Sequence, residues 1–223
     1  MTAYFVTGTD TGVGKTLVSC ALLQALARRH PRVVGMKPVA AGLVQTPDGW
    51  DSEDAIALRS ASTLAVPPAL DNPVLLPDPL SPHIAAARAG VEIDIAAIVA
   101  SYQALAAQAD AVVVEGAGGF LVPLTDTLTG ADLAQALALP VVLVVGLRLG
   151  CLNHALLTAE AIRARGLTLA GWVANRIDPE MGAADENIAY LRARLNAPLL
   201  AEVPYQDLPE PGSLVFDLPK DWQ

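Results

Sequence analysis

Apolar residues along this chain fall into two kinds of segment, and the two alternate. Runs of strand length recur at Ala3–Val6, Val33–Met36, Ala111–Val114, Pro140–Val145, Leu169–Ala174 and Pro198–Val203. Several are continuously apolar, Val112-Val113-Val114 and Val141-Val142-Leu143-Val144-Val145 among them, where a half-exposed strand would alternate with polar residues. Between them, Leu17–Arg29, Asp51–Ser60, Ile93–Ala107, Gly130–Ala138, Leu152–Arg165 and Ala184–Leu195 carry Ala, Leu, Gln, Glu and Arg at helix-compatible spacing, with Gly166 as a stop. Strands covered on both faces and separated by helices predict an α/β fold, a parallel sheet between two helical layers. The proline-dense stretch Ser62–Pro82 reads as an ordered surface loop able to border a site. The tail from Tyr205 to Gln223, also proline-rich and acidic, reads as irregular structure. With no internal repeat and no linker, residues 1–223 are expected to form one domain.

Composition narrows the class. The longest apolar stretch, Ala136–Leu147, is interrupted by Pro140 and ended by Arg148, short of the ~20 residues a membrane helix needs. Residues 1–10 have no basic start and reach Thr7 and Asp10 too soon for a signal core, so a cytoplasmic location is expected. The two cysteines, Cys20 and Cys151, have neither paired spacing nor secretory context and read as reduced thiols. A formal net charge of −9 without a Lys/Arg run disfavours a nucleic-acid surface and favours a small-molecule partner.

The most specific local signal is Gly8-Thr9-Asp10-Thr11-Gly12-Val13-Gly14-Lys15-Thr16, set between the first apolar run and the first helical pattern. Strand, glycine-rich loop, Lys-Thr and helix in that order predict a phosphate-binding loop. Its backbone N–H groups and the helix start cradle polyphosphate, the lysine bridges the β- and γ-phosphates, and the Thr16 hydroxyl sits on Mg²⁺. Five residues separate Gly8 from Gly14 where the strict pattern has four, so the loop is one residue longer.

In an open parallel sheet, ligands gather beyond the carboxyl ends of the strands, which selects the residues after each apolar run. Lys37-Pro38-Val39 could place a second cation beside the γ-phosphate, or be a solvated strand-end lysine. Glu115-Gly116-Ala117-Gly118-Gly119 offers a carboxylate for Mg²⁺ and glycines that admit a close ligand. Asp54 is either a further metal carboxylate or, the better reading of that residue alone, a helix cap. Asn175 carries a donor and an acceptor suited to an adenine edge, or is a turn residue. His30, His83 and His154 lack clustered partners and read as structural.

The loop together with Lys37-Pro38-Val39, Ser81-Pro82-His83, Val114-Glu115-Gly116-Ala117-Gly118-Gly119, Gly150-Cys151-Leu152-Asn153-His154 and Gly171-Trp172-Val173-Ala174-Asn175 resembles the dethiobiotin synthetase family across most of the chain. The resemblance implies a phosphate-loop fold and closure of the ureido ring of dethiobiotin from 7,8-diaminononanoate, CO₂ and ATP with Mg²⁺. It further implies a carbamate that accepts the γ-phosphoryl group, and a homodimer. Carried over by position, it implies Thr16, Asp54 and Glu115 for magnesium, with Lys15, Lys37 and Thr11 for catalysis. It implies Gly12, Val13, Gly14, Lys15, Thr16, Leu17, Asp54, Glu115, Gly116, Ala117, Gly118, Asn175, Arg176, Pro204, Tyr205 and Gln206 for the nucleotide. The diamine falls to Thr11, Lys37 and Gly118, and its carboxylate to Gly150, Cys151, Leu152 and Asn153 of the neighbouring subunit. Ala41 departs from the family by lacking a hydroxyl, and Arg176 and the tail, with Glu210 as a possible wall, look variable. A cobyrinate-type amide ligase is disfavoured because the chain has no room for a glutaminase domain. A partitioning-type ATPase switch is the remaining alternative; it is weakened by Thr9-Asp10-Thr11 where such switches often carry an extra lysine, and by an acidic tail.

Overall fold

The computed structural model describes residues 1–223 apart from Asp48, Pro209, Asp217, Lys220, Asp221 and Gln223. Strand β1 (Thr2–Gly8) enters the glycine-rich loop and α1 (Lys15–Ala27) leaves it. The chain then forms β2 (Val33–Met36), β3 (Val39–Ala41), the hairpin of β4 (Val44–Thr46) and β5 (Gly49–Asp51), and α2 (Glu53–Ala61). Next come α3 (Pro68–Asp71), β6 (Val74–Leu76), α4 (Pro82–Ala89) and α5 (Ile95–Ala106). After them β7 (Ala111–Gly119), α6 (Gly130–Leu137), β8 (Val141–Leu147), α7 (Cys151–Ala164), β9 (Leu169–Arg176), α8 (Ala184–Arg194) and β10 (Leu199–Val203) alternate to the end of the sheet.

All six predicted strands lie in one parallel sheet of order β10-β9-β8-β1-β7-β2. Successive residues face opposite layers, so Phe5, Val112 and Val114 join one core while Tyr4, Val6 and Val113 join the other. Helix α1 and Leu58 of α2 cover the second face; α5, α6, α7 and α8 cover the first. Every residue of β8 is buried, which is why its sequence is uninterrupted Val and Leu up to Gly146. Strand β1 leads into α1 on the second face and towards β2, whereas its neighbour β7 leads into α6 on the first face and back across β1 to β8, and the crevice at such a switch opens where the glycine loop lies.

The stretch Ser62–Pro82 corrects the expectation of a loop: it contains α3 and β6, and α4 begins at its end. The prolines sit where a missing N–H costs nothing. Pro68 and Pro82 open helices, and Pro73 and Pro77 flank a three-residue strand that pairs only with β3. Beyond β10 the described tail is irregular apart from one 3₁₀ turn, Pro211–Ser213, and it returns to the sheet, stacking Trp222 on Tyr4 with ring centroids 3.9 Å apart. Among the described residues no helix is long and apolar enough to cross a membrane.

Candidate active site

The loop closes at Gly14, whose φ of +88° lies in the left-handed region, and a Cβ there would stand 2.2 Å from Asn175 Nδ2. Only glycine meets both conditions. No side chain caps α1 and no acidic residue lies in its first turn, so the N–H groups and positive dipole end remain for an anionic ligand. Asp10 is tied down at both its carboxylate and its carbonyl. Its carboxylate accepts from the Thr11 N–H at 2.7 Å and from the Arg148 guanidinium just past β8, while its carbonyl accepts from Lys15 Nζ at 3.1 Å.

Beside the loop, α2, β2 and β7 bring a second set of charges to the cleft. The buried Lys37 ammonium donates to Glu115 Oε1 at 2.7 Å and lies 2.6 Å from Asp54 Oδ2. The Thr16 hydroxyl is within reach of both carboxylates, 2.8 Å from Asp54 Oδ1 and 2.9 Å from Glu115 Oε1. Asp54 is free for this because the neighbouring Ser52 caps α2, its hydroxyl accepting from Ala55 N–H. Burial works against the Lys37 charge, but Glu115 and Asp54 outweigh it and hold its pKa above the usual lysine value. Burial likewise disfavours the Asp54 charge, and Lys37, Thr16 and Lys15 override it, leaving the carboxyl below its usual range. Cys20, one turn after Thr16, is a buried thiol pushed up to about 12 by burial and then by Glu115 and Asp54, so it stays protonated.

Burial, and then the nearby Lys37, lower Lys15 to about 8 against the opposing pull of Glu115, Asp54 and Asp10. A bound triphosphate favours the ammonium, so the complex holds a proton that the free protein begins to lose near pH 8. The sign is therefore fixed: ATP affinity measured without magnesium should fall as pH rises through about 8, with proton uptake on binding visible by calorimetry in buffers of different ionisation enthalpy. Lys15→Arg should abolish the uptake; an equal uptake in that variant would assign the proton elsewhere.

The donor set fits magnesium. Glu115 Oε2 is buried and has no hydrogen-bond partner, so one oxygen of a fully buried carboxylate is left to be satisfied. Among the described residues no cluster of three or more His, Cys, Asp or Glu side chains could cage an ion. Two carboxylates and a hydroxyl suit an ion that keeps waters and takes phosphate oxygens as its remaining ligands, which is how Mg²⁺ is usually held in nucleotide sites.

Of the residues singled out by sequence, Thr11, Gly12, Gly14, Lys15, Thr16, Lys37, Asp54, Glu115, Ala117 and Gly118 line one cleft of about 760 Å³. Val13 and Leu17 pack behind the loop into the core around α1. The Gly116 carbonyl lies 3.5 Å from Lys37 Nζ. Asn175 is buried and its amide donates to the Val13 carbonyl at 2.9 Å, so it braces the loop from β9. Arg176 pairs with Asp185, and Pro204, Tyr205 and Gln206 lie exposed just after β10, outside the cleft lining. Gly150, Cys151, Leu152 and Asn153 open α7 and are also outside that lining. Asn153 does not cap its helix, since no side chain caps α7. Sequence reading missed that Val39, Pro79, Leu80 and Val122 face the cleft, and Ala41, set aside for its missing hydroxyl, lines it as well. Their apolar character carried no chemical signal, and the proline stretch gave only adjacency.

Loop, helix start and carboxylate pair on this sheet define a phosphate-loop nucleotide-binding protein. The fold agrees: a ParA family ATPase from Chlorobium tepidum TLS matches with a TM-score of 0.58 at 14% identity over 92% of this chain and 85% of that one. The MinC:MinD cell division complex of Aquifex aeolicus matches with a TM-score of 0.55 at 15% identity over 93% of this chain and 82% of that one. An AAA domain family model covers residues 2–211. The ATP-dependent dethiobiotin synthetase BioD of Aromatoleum aromaticum (strain DSM 19018 / LMG 30748 / EbN1) is 57% identical over 218 residues, 97% of this chain and 96% of that protein. The chain belongs to the ATP-dependent dethiobiotin synthetase family.

Proposed function

We propose that this protein is an ATP-dependent carbon–nitrogen ligase that closes the ureido ring of dethiobiotin from 7,8-diaminononanoate, CO₂ and ATP. The observation that carries the reading is the Thr16–Asp54–Glu115–Lys37 cluster beside the glycine loop, in a chain 57% identical to a protein of that name. Lys15 and the start of α1 bind the triphosphate. Lys37, held by two carboxylates, keeps its positive charge where a carbamate formed from one amine and CO₂ would meet the γ-phosphoryl group. Thr11 and Gly118 position the diamine, and the second amine attacks the activated carbamate and releases phosphate. Thr16, Asp54 and Glu115 would hold Mg²⁺, which when bound neutralises charge on the transferring phosphoryl group. The protein thus aligns three reactants and balances charge, tasks that supply much of the acceleration in such transfers. Asn175 Nδ2 is committed to the Val13 carbonyl, which leaves Oδ1 to accept from an amino group of the base, with Arg176 and Pro204–Gln206 beside it. Incubation with diaminononanoate, bicarbonate, Mg²⁺ and ATP should yield dethiobiotin by mass spectrometry; ATP hydrolysis without the ring product would favour a nucleotide switch of the ParA or MinD kind.

The diamine's far carboxylate needs a home, and we assign it to Gly150–Asn153 of a second subunit in a homodimer. Gly150 precedes α7 at φ +94°, and the uncapped N–H groups of that helix suit an anion. Mixing inactive Lys37→Ala with inactive Gly150→Glu should restore activity on subunit exchange, because one site of each mixed dimer is then free of both lesions. Mixed dimers that form and stay inactive would place the segment in its own subunit's site.

A further inference from the structure

We propose that Arg59 is a positioning residue that aims both Lys37 and Asp54 at the phosphate site. The inference deepens the functional reading above and rests on it. Arg59 lies in the last turn of α2, the helix whose first turn carries Asp54. Its guanidinium makes a two-pronged pair with the buried Asp71, Nε to Oδ2 at 2.7 Å and a terminal nitrogen to Oδ1 at 2.7 Å, and its third nitrogen reaches Asp51. Three donors in a rigid plane thereby join the two segments.

Each segment holds one member of the site. On one side, the Asp71 carbonyl accepts from Lys37 N–H at 2.7 Å, and the adjacent Asn72 amide donates to the Lys37 carbonyl at 2.6 Å. Both backbone groups of Lys37 are therefore gripped by residues 71 and 72. On the other side, Asp51 Oδ1 accepts from Ser52 N–H at 2.8 Å, and Ser52 caps α2 two residues before Asp54. The grip needs an external brace, because α3, which ends at Asp71, has only four residues, too few to hold its geometry alone. Arg59 supplies it. The guanidinium is itself outside the cleft lining, so its effect on chemistry runs through Lys37 and Asp54. Displacement of a reacting group by about 1 Å can cost 10²-fold in rate, which makes the brace a kinetic element as well as a packing one.

Three variants test this. Arg59→Lys keeps a cation beside buried Asp71 but loses the fork; Arg59→Met removes the cation; Arg59→Met with Asp71→Asn removes both charges while keeping the Asp71 main-chain contact to Lys37. We expect Arg59→Lys to keep a melting temperature near that of the parent, to lose roughly tenfold in kcat, and to leave KM for ATP within about twofold, since the loop grips the triphosphate independently. The double variant should recover melting temperature over Arg59→Met without recovering kcat. Magnesium-dependent binding of a non-hydrolysable ATP analogue, followed by calorimetry, should need severalfold more Mg²⁺ in Arg59→Lys. A kcat within twofold of the parent, a loss carried by KM, or an unmoved magnesium titration would each overturn the assignment. If the parent forms no dethiobiotin, the functional reading fails by itself, and the magnesium titration alone then decides on Arg59.

Discussion

Lys37→Ala should bind ATP almost as the parent does and lose about 10²–10³-fold in ring formation, the cost typical of removing one donor aimed at developing charge. ATP affinity should survive because, on the proposed reading, Lys15, the loop and the uncapped start of α1 hold the triphosphate without a contact from the Lys37 side chain, whose removal takes away a charge that works against the Lys15 ammonium. Turnover does not survive, because Lys37 is the only cation placed against both Asp54 and Glu115 among the described residues, and its main chain is held on both sides. The variant carries a second signature. Removing one member of a buried ion pair typically costs about 3–5 kcal/mol, since the remaining charge is left unpaired, and here Glu115 is fully buried. Lys37→Ala should therefore melt below the parent in the absence of ligand and regain more stability than the parent on adding Mg²⁺ and ATP. Lys15→Ala should differ by losing ATP binding itself. Ring formation near the parent rate by Lys37→Ala, read by mass spectrometry, would take that residue out of the chemistry.

The nucleotide half of this site was legible in the sequence because its residues are local or sit at strand ends. Gly8–Thr16 is one continuous motif between a strand and a helix, and Lys37 and Glu115 directly follow buried runs, so topology alone delivers them to one edge. Asp54 was ambiguous for a physical reason: an acid in the first turn of a helix suits the dipole whether or not it binds anything, and only the capping role of Ser52 separates the two readings. What was illegible is the scaffold behind Lys37. Asp71 and Asn72 act through a main-chain carbonyl and a side-chain amide within a proline-rich stretch that lacks periodicity, and Arg59 reaches Asp71 across twelve residues of sequence. Pairings of that kind depend on where the chain folds back, which hydrophobic pattern does not encode. The sheet itself was readable because its strands are buried on both faces; the two-stranded additions β3–β6 and β4–β5 were not, being three residues each and partly exposed.

Glu115→Gln should fold and bind ATP, yet raise the magnesium concentration for half-maximal activity by at least about 10-fold, the lower end of what even outer-shell changes cost a metal site. Glutamine has the shape of glutamate, so strand β7 and the packing around it are undisturbed. Its amide oxygen can still accept from Thr16 and Lys37 in the place of Oε1, at the 2.9 and 2.7 Å contacts seen in the acid. That arrangement forces the amide nitrogen into the place of Oε2, the one oxygen of the carboxylate without a partner. Two N–H donors would then point where the proposed Mg²⁺ would bind, and the charge that attracts it would be gone, so the change acts by repulsion as well as by loss. Lys37 is left with only the more exposed Asp54 as a counter-charge, which weakens its hold without emptying the cluster. A purely structural Glu115 predicts the opposite pattern, a lowered melting temperature with an unchanged magnesium titration. Measuring both on the same preparation separates the two roles, and a titration superimposable on the parent's would remove Glu115 from the metal site.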